Sequence, residues 1–234
     1  MKMMMAALLA MLVATPSLAE DIWQPADGET LYWQIADHKD RVIGHTIQRF
    51  SRADGALTMT RSQRIRMRKF MMNIKLDQDV TSVWDSQGLR SLQSSTIADA
   101  PVMSRDLSLT VTRLDDGTLK IVSSEVGEKI VDQPAWPMTF WHGSFTKQEQ
   151  FFDAGLGLIK PVTKTGLGAK ELDVAGQTLS CEGMRVETTN HEDKPVTIEL
   201  WFTQGGEPCQ MDFEGPMGAS SARRVTQAAL VTEH

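Results

Sequence analysis

RIRMRKFMMNIKLDQD, residues 64–79, is the stretch on which the fold turns. Arg64, Arg66 and Arg68 alternate with Ile65 and Met67. After Phe70-Met71-Met72 the alternation resumes, with Ile74 and Leu76 between polar residues. Alternation with a period of two marks a strand with two unlike faces, and two such runs about a short centre make a hairpin. Centring the hairpin on Phe70-Met71 sets Ile65 opposite Leu76, Met67 opposite Ile74 and, further out, Leu57 opposite Trp84. The other face collects Arg64 opposite Asp77, Arg66 opposite Lys75 and Arg68 opposite Asn73, with Asp79 beyond. A slip of one residue would set apolar side chains against charged ones, so the pattern pins the register.

Two readings of the arginine ladder stand. It is a solvated outer face partly neutralised by Asp77 and Asp79, or a cationic patch that meets an anionic head group or partner. The tip is the second oddity, because a two-residue loop favours Asn-Gly and Phe-Met reaches positive φ only at a cost. A four-residue turn over Lys69 to Met72 is therefore expected. The side chains of Phe70, Met71 and Met72 then either fold back over the core or project as a contact for a membrane or another protein.

The same alternation runs outward through most of the chain. "TLYWQIAD" and "RVIGHTIQRF" read as strands joined at His38-Lys39-Asp40, and "ALTMTRSQRIRM" follows Ala53-Asp54-Gly55. "NIKLDQDVTSVWD", "GLRSLQSST", "RDLSLTVTRL" and "TLKIVSSEV" continue the series, the last two about Asp115-Asp116-Gly117. "KELDV" and "QTLSCEGMRVE" flank Ala175-Gly176, "PVTIELWFT" and "CQMDFEG" flank Gly205-Gly206, and the tail from Ala219 to Leu230 offers a final strand. The glycines of "GLGLIK" and "GLGAK" lack the spacing of phosphate loops and read as turns. The pattern breaks between Ile130 and Leu158, where Trp136, Phe140, Trp141, Phe145, Phe151 and Phe152 lie among prolines and glycines. About twelve strands in sequential hairpins with one aromatic crossover predict an all-β fold, a large curved antiparallel sheet forming a barrel or half-barrel.

The first residues, "MKMMMAALLAMLVATPSLAED", combine Lys2, an apolar run from Met3 to Ala14, Pro16 and small residues at Ser17 and Ala19. This is the pattern of a secretory signal peptide cut after Ala19, too short to span a bilayer. The expected product is a single β domain over residues 20–234, located in the periplasm. Loss of Lys2 moves the net charge from −6 to −7, which argues against general nucleic-acid binding.

Motifs for catalysis are weak. His38, His45, His142, His191 and His234 fall in different elements without a metal-ligand spacing, and "WHGSF" sets His142 near Ser144 without the Gly-x-Ser-x-Gly turn of a hydrolase. No cofactor and no metal are expected. Cys181 and Cys209 are the two cysteines, and an oxidising compartment favours a disulfide between them. A simple meander opposes it, because two strand spacings separate them by about 9.6 Å, beyond the limit of about 7 Å between Cα atoms. The bond would need Cys209 to curl over the strand end.

"DQDVTSVWDSQGLRSLQSST", "MTFWH" followed by "FFDAGLG", and "IELWFTQGGEPCQMDFEG" with the trailing "SSARRV" resemble an uncharacterised family of exported Gram-negative bacterial β-proteins, a domain of unknown function. The resemblance spans roughly Trp33 to Val225. It implies a curved sheet reminiscent of the periplasmic lipoprotein carriers, and it brings no catalytic residue with it. The two cysteines are not part of that pattern.

The leading expectation is a non-enzymatic periplasmic protein that holds a lipid or other amphiphile. Trp136, Phe140, Trp141, Phe151 and Phe152 would line or cap an apolar pocket on the concave face, unless they simply plug it. Arg64, Arg66 and Arg68 would meet an anionic head group. The alternatives are an envelope interaction protein docking through the Phe70 tip and, third, an enzyme with an unrecognised site.

Overall fold

The computed structural model describes residues 23–69, 72–100, 103–132, 135–215 and 218–231. The expected signal peptide and the Phe70-Met71 centre of the hairpin over residues 64–79 lie outside these residues.

The first group of strands is β1 (Thr30–Asp37), β2 (Val42–Ala53), β3 (Ala56–Lys69), β4 (Met72–Asp85), β5 (Gly88–Ala100), β6 (Met103–Arg113), β7 (Leu119–Ser123) and β8 (Gly127–Val131). Three short strands follow in the crossover: β9 (Ala135–Pro137), β10 (Gln150–Phe152) and β11 (Ile159–Lys160), with a 3-10 helix at Gly143–Lys147. The last group is β12 (Thr163–Val174), β13 (Gln177–Thr189), β14 (Pro195–Thr203), β15 (Pro208–Gly215) and β16 (Gly218–Val225), followed by α1 (Gln227–Val231).

Thirteen strands form one sheet in the order β12-β13-β14-β15-β16-β1-β2-β3-β4-β5-β6-β7-β8, and β11-β10-β9 form a second, small one. Sequence neighbours pair as antiparallel hairpins because short turns connect them. At Asp54-Gly55 and Ala175-Gly176 both central residues have positive φ, the conformation of a primed hairpin turn that matches strand twist. The one long-range closure is β16 on β1, with Trp33 opposite Arg224 and Ile35 opposite Ala222. The sheet stays open between β8 and β12.

The register of β3 and β4 is the one the alternation requires: Leu57 opposite Trp84, Arg64 opposite Asp77, Ile65 opposite Leu76 and Met67 opposite Ile74. Three details differ from expectation. Lys69 pairs with Met72, so only Phe70 and Met71 connect the strands and the four-residue loop is not formed. The glycines of "GLGAK" lie inside β12, where the register shifts between Gly166 and Gly168. Gly168 there adopts φ +79°, the left-handed position of a bulge, which extends a strand instead of ending it. The tail is a strand only to Val225, and its last described turns are the helix α1.

Side chains of the inner face build two clusters. One joins β1 to β7 through Leu31, Trp33, Phe50, Met59, Val80, Trp84, Leu92, Leu109 and Ile121. The other joins β13 and β14 through Val186, Val196, Ile198, Leu200 and Phe202. The crossover enters both, with Trp141 and Phe152 in the first and Phe145 and Phe151 in the second. It is a wedge between the two halves of the curved sheet. At its "GLGL" turn Gly157 has φ +73°, and a Cβ there would lie 2.8 Å from side-chain carbons of Ile121 and Leu109, so glycine lets the wedge close against the β6–β7 wall.

Candidate functional site

The aromatic crossover residues come together as expected, and most of them fill space. Trp141, Phe151 and Phe152 are buried, while Trp136 and Phe140 are half-buried. The Trp84 ring lies 4.7 Å from Trp136, tilted, and 5.7 Å from Trp141, edge-on, and Phe145 stands 4.0 Å from Phe151 and 4.8 Å from Phe140. Full burial of a ring such as Phe151 or Phe152 is worth on the order of 1.5 to 3 kcal/mol, which makes this assembly a structural plug. Of the five, Phe140 borders an interior void, of about 40 Å³.

The arginine ladder lies on the opposite face of the sheet from the plug. Arg64 donates to both carboxylate oxygens of Asp79 at 3.0 and 2.9 Å, and its Nε is 3.8 Å from Asp77. Arg66 binds Asp77 in a two-pronged pair, Nη2 to Oδ2 at 2.9 Å. The shorter contacts, Arg64 to Asp79 and Arg66 to Asp77, run on the diagonal, which long side chains can reach. Arg66 holds the Asp77 carboxyl below its ordinary range. Arg68 is exposed. Arg64, Arg66 and Arg68 therefore do not join Trp136, Phe140, Trp141, Phe151 and Phe152 in one site: alternation along β3 sends them to the other side.

Between the plug and the open end of β3–β4, the inner face carries a polar layer that the sequence reading passed over. Arg61 is 9% exposed, and its Nη2 donates to Gln78 Oε1. Gln78 Nε2 donates onward to Thr96 Oγ1 at 2.9 Å. Beside Arg61 on β2, Gln48 accepts from Trp33 Nε1 at 3.0 Å and reaches the Thr139 carbonyl at 3.5 Å. Burial pushes the Arg61 guanidinium down to about 10, while the charge of Asp153 acts to raise it. Arg61 thus keeps its charge at neutral pH. Asp153 Oδ1 accepts from the backbone N–H groups of Gly155 and Leu156, at 2.8 and 2.6 Å.

The signal for this layer was in the alternation itself. The inner face of β3 reads Leu57, Met59, Arg61, Gln63, Ile65, Met67, an apolar row interrupted by two polar residues, with Gln78 opposite Gln63. The interruption coincides with the void, which is bordered by Trp33, Thr46, Gln48, Arg61, Gln63 and Phe140. Above it Ile65, Met67, Ile74 and Leu76 are half-buried.

A larger concavity, of about 380 Å³, lies on the outer face and is lined by Asp37, Glu199, Asp212, Glu214 and Arg223 among others. It holds no apolar row. Cys181 and Cys209 form a disulfide with Cα atoms 6.6 Å apart. The meander β13-β14-β15 is real, yet the register of β15 shifts at Trp201/Phe202, where Phe202 pairs with Pro208. That bulge, next to the strand end where Cys181 pairs with Thr203, brings the flanking strands closer than flat geometry allows. The bond packs against Trp201 and Val174.

The crystal structure of a β-barrel-like protein of domain of unknown function DUF1849 from Brucella abortus aligns with 84% of this chain and 95% of that one, at a TM-score of 0.58 and 13% identity. At that identity the likeness is one of fold. No curated protein sequence matches the chain. The model of a domain of unknown function, DUF6134, matches residues 34–225, and the chain belongs to that family.

Proposed function

We propose that this protein is a non-enzymatic binding module that holds one chain of an amphiphile along the open end of its concave face. The observation that carries the reading is the row Ile65, Met67, Ile74 and Leu76, which shares the inner face with the core yet stays half-buried above the plug. Ile65 packs against the core cluster below, and the row above it offers apolar contact of the sort ligand sites use. The void of about 40 Å³ is far below the roughly 300 Å³ of an enclosing ligand pocket. The chain therefore lies along an open wall and is not swallowed by the barrel. The Cys181–Cys209 bond fits work in an oxidising compartment, in line with the export signal read at residues 1–19, and supports a periplasmic carrier.

Native mass spectrometry of protein purified from its own cell, together with uptake of a fluorescent fatty-acid probe by the delipidated protein, tests the reading. A copurified lipid and saturable uptake, weakened in Met67→Gln and Ile74→Thr, are expected. Absence of both, or uptake indifferent to those changes, overturns it.

A further inference from the structure

The inner polar layer has a chemistry of its own. Arg61 is nine-tenths buried among Met59, Val80 and Gln48, and removing a guanidinium from water is costly unless its donors and its charge are both met. One donor is met by Gln78. Among the described residues the Arg61 Nε has no hydrogen-bond partner, and no carboxylate forms an ion pair with it. Asp153 acts on it only as a charge at longer range, and Asp153 Oδ1 already accepts from the backbone N–H groups of Gly155 and Leu156.

We propose that Arg61 anchors the head group of the ligand: the carboxylate of a single-chain amphiphile sits in the void beside the Arg61 guanidinium, and its chain runs up the inner face past Ile65 and Met67. This rests on the amphiphile-binding reading above and adds the charge and size of the head. Size limits the occupant, since about 40 Å³ exceeds the ~10 to 15 Å³ that one water needs and falls far short of a whole ligand. Charge selects it. A neutral head would leave the buried cation uncompensated, whereas a carboxylate accepts from a guanidinium along two parallel bonds. The Gln63 side chain borders the same void. Length is consistent as well: Arg61 to Met67 spans six strand residues, roughly 20 Å of wall for the chain.

The test is calorimetric titration of the delipidated parent protein with decanoate, decanol and acetate at pH 7.5 and low salt. One charge-assisted hydrogen bond predicts that decanoate binds about tenfold more tightly than decanol, or better. Acetate should bind far more weakly than either, because it lacks the chain. Arg61→Gln should still take decanol while losing the preference for decanoate, and Arg61→Lys should keep part of it. Equal affinity for decanoate and decanol in the parent overturns the anchor while leaving the apolar wall standing. That comparison needs no variant, so misfolding of Arg61→Gln does not weaken it. Acetate binding as tightly as decanoate overturns the path of the chain. Failure of all three to bind overturns the amphiphile reading and this proposal with it.

Discussion

His142 gives the plug a calculable sensitivity to acid. It is buried at the start of the 3-10 helix, 5.0 Å from the Trp141 ring and 6.1 Å from Trp136 between ring centroids. The Gln24 amide nitrogen, which can only donate, stands 3.1 Å from its Nε2, so that nitrogen accepts and the ring is neutral. Burial lowers its pKa from 6.5 to about 4, against a smaller opposing effect of a hydrogen bond to the Trp23 backbone. The unfolded chain therefore binds a proton between pH 6.5 and 4 that the folded chain refuses, and stability falls as pH drops through that window. The loss is about 2 kcal/mol between pH 7.5 and 5, approaching about 3 kcal/mol below pH 4. Urea unfolding followed by tryptophan fluorescence, for the parent and for His142→Gln at pH 7.5, 6.5, 5.5 and 5.0, isolates the effect, because other titrating groups are common to both proteins. The parent should lose roughly 2 kcal/mol more than the variant across that range. Parallel stability curves would refute the assignment of a buried neutral imidazole.

Reduction of Cys181–Cys209, a bridge across 28 residues, should lower stability by about 3.5 kcal/mol on the loop-closure estimate. Thiol labelling of the unfolded, unreduced protein should find no free cysteine, and a loss under about 1 kcal/mol on reduction would mean that the unfolded chain is not constrained by the bond. Changing Arg64 and Arg66 to serine should cost less than about 1 kcal/mol each, since both pairs with Asp77 and Asp79 are partly exposed. Binding of anionic vesicles at low salt should stay unchanged because those carboxylates already neutralise the two arginines; a clear drop in binding would restore the cationic-patch reading.

Much of the fold was legible because it is written in local pattern. Alternation of Ile65 and Met67 with arginines, and of Ile74 and Leu76 with polar residues, fixes faces and register together, and turn residues such as Asp54-Gly55 mark where strands reverse. The β3–β4 pairing follows from those residues alone. Less legible were features that depend on small departures from regular geometry. The bulge at Gly166/Gly168 turned a predicted loop into strand, and the one at Trp201/Phe202 allowed a disulfide that flat spacing forbids.

What the sequence determined by itself is thus the all-β class, the order of hairpins, the register of the opening stretch and the presence of an aromatic crossover, all set by interactions between residues close along the chain. Tertiary structure alone decided which face is inside, and with it the roles of the arginines. Arg64 and Arg66, conspicuous in the sequence, face outward and are paired with Asp79 and Asp77, while Arg61, three residues earlier and on the other face, is the buried cation. The physical reason is that alternation defines two faces without saying which one the sheet will curve around. That choice is made by the long-range pairing of β16 with β1 and by the crossover wedged between Trp84 on one wall and Phe202 on the other.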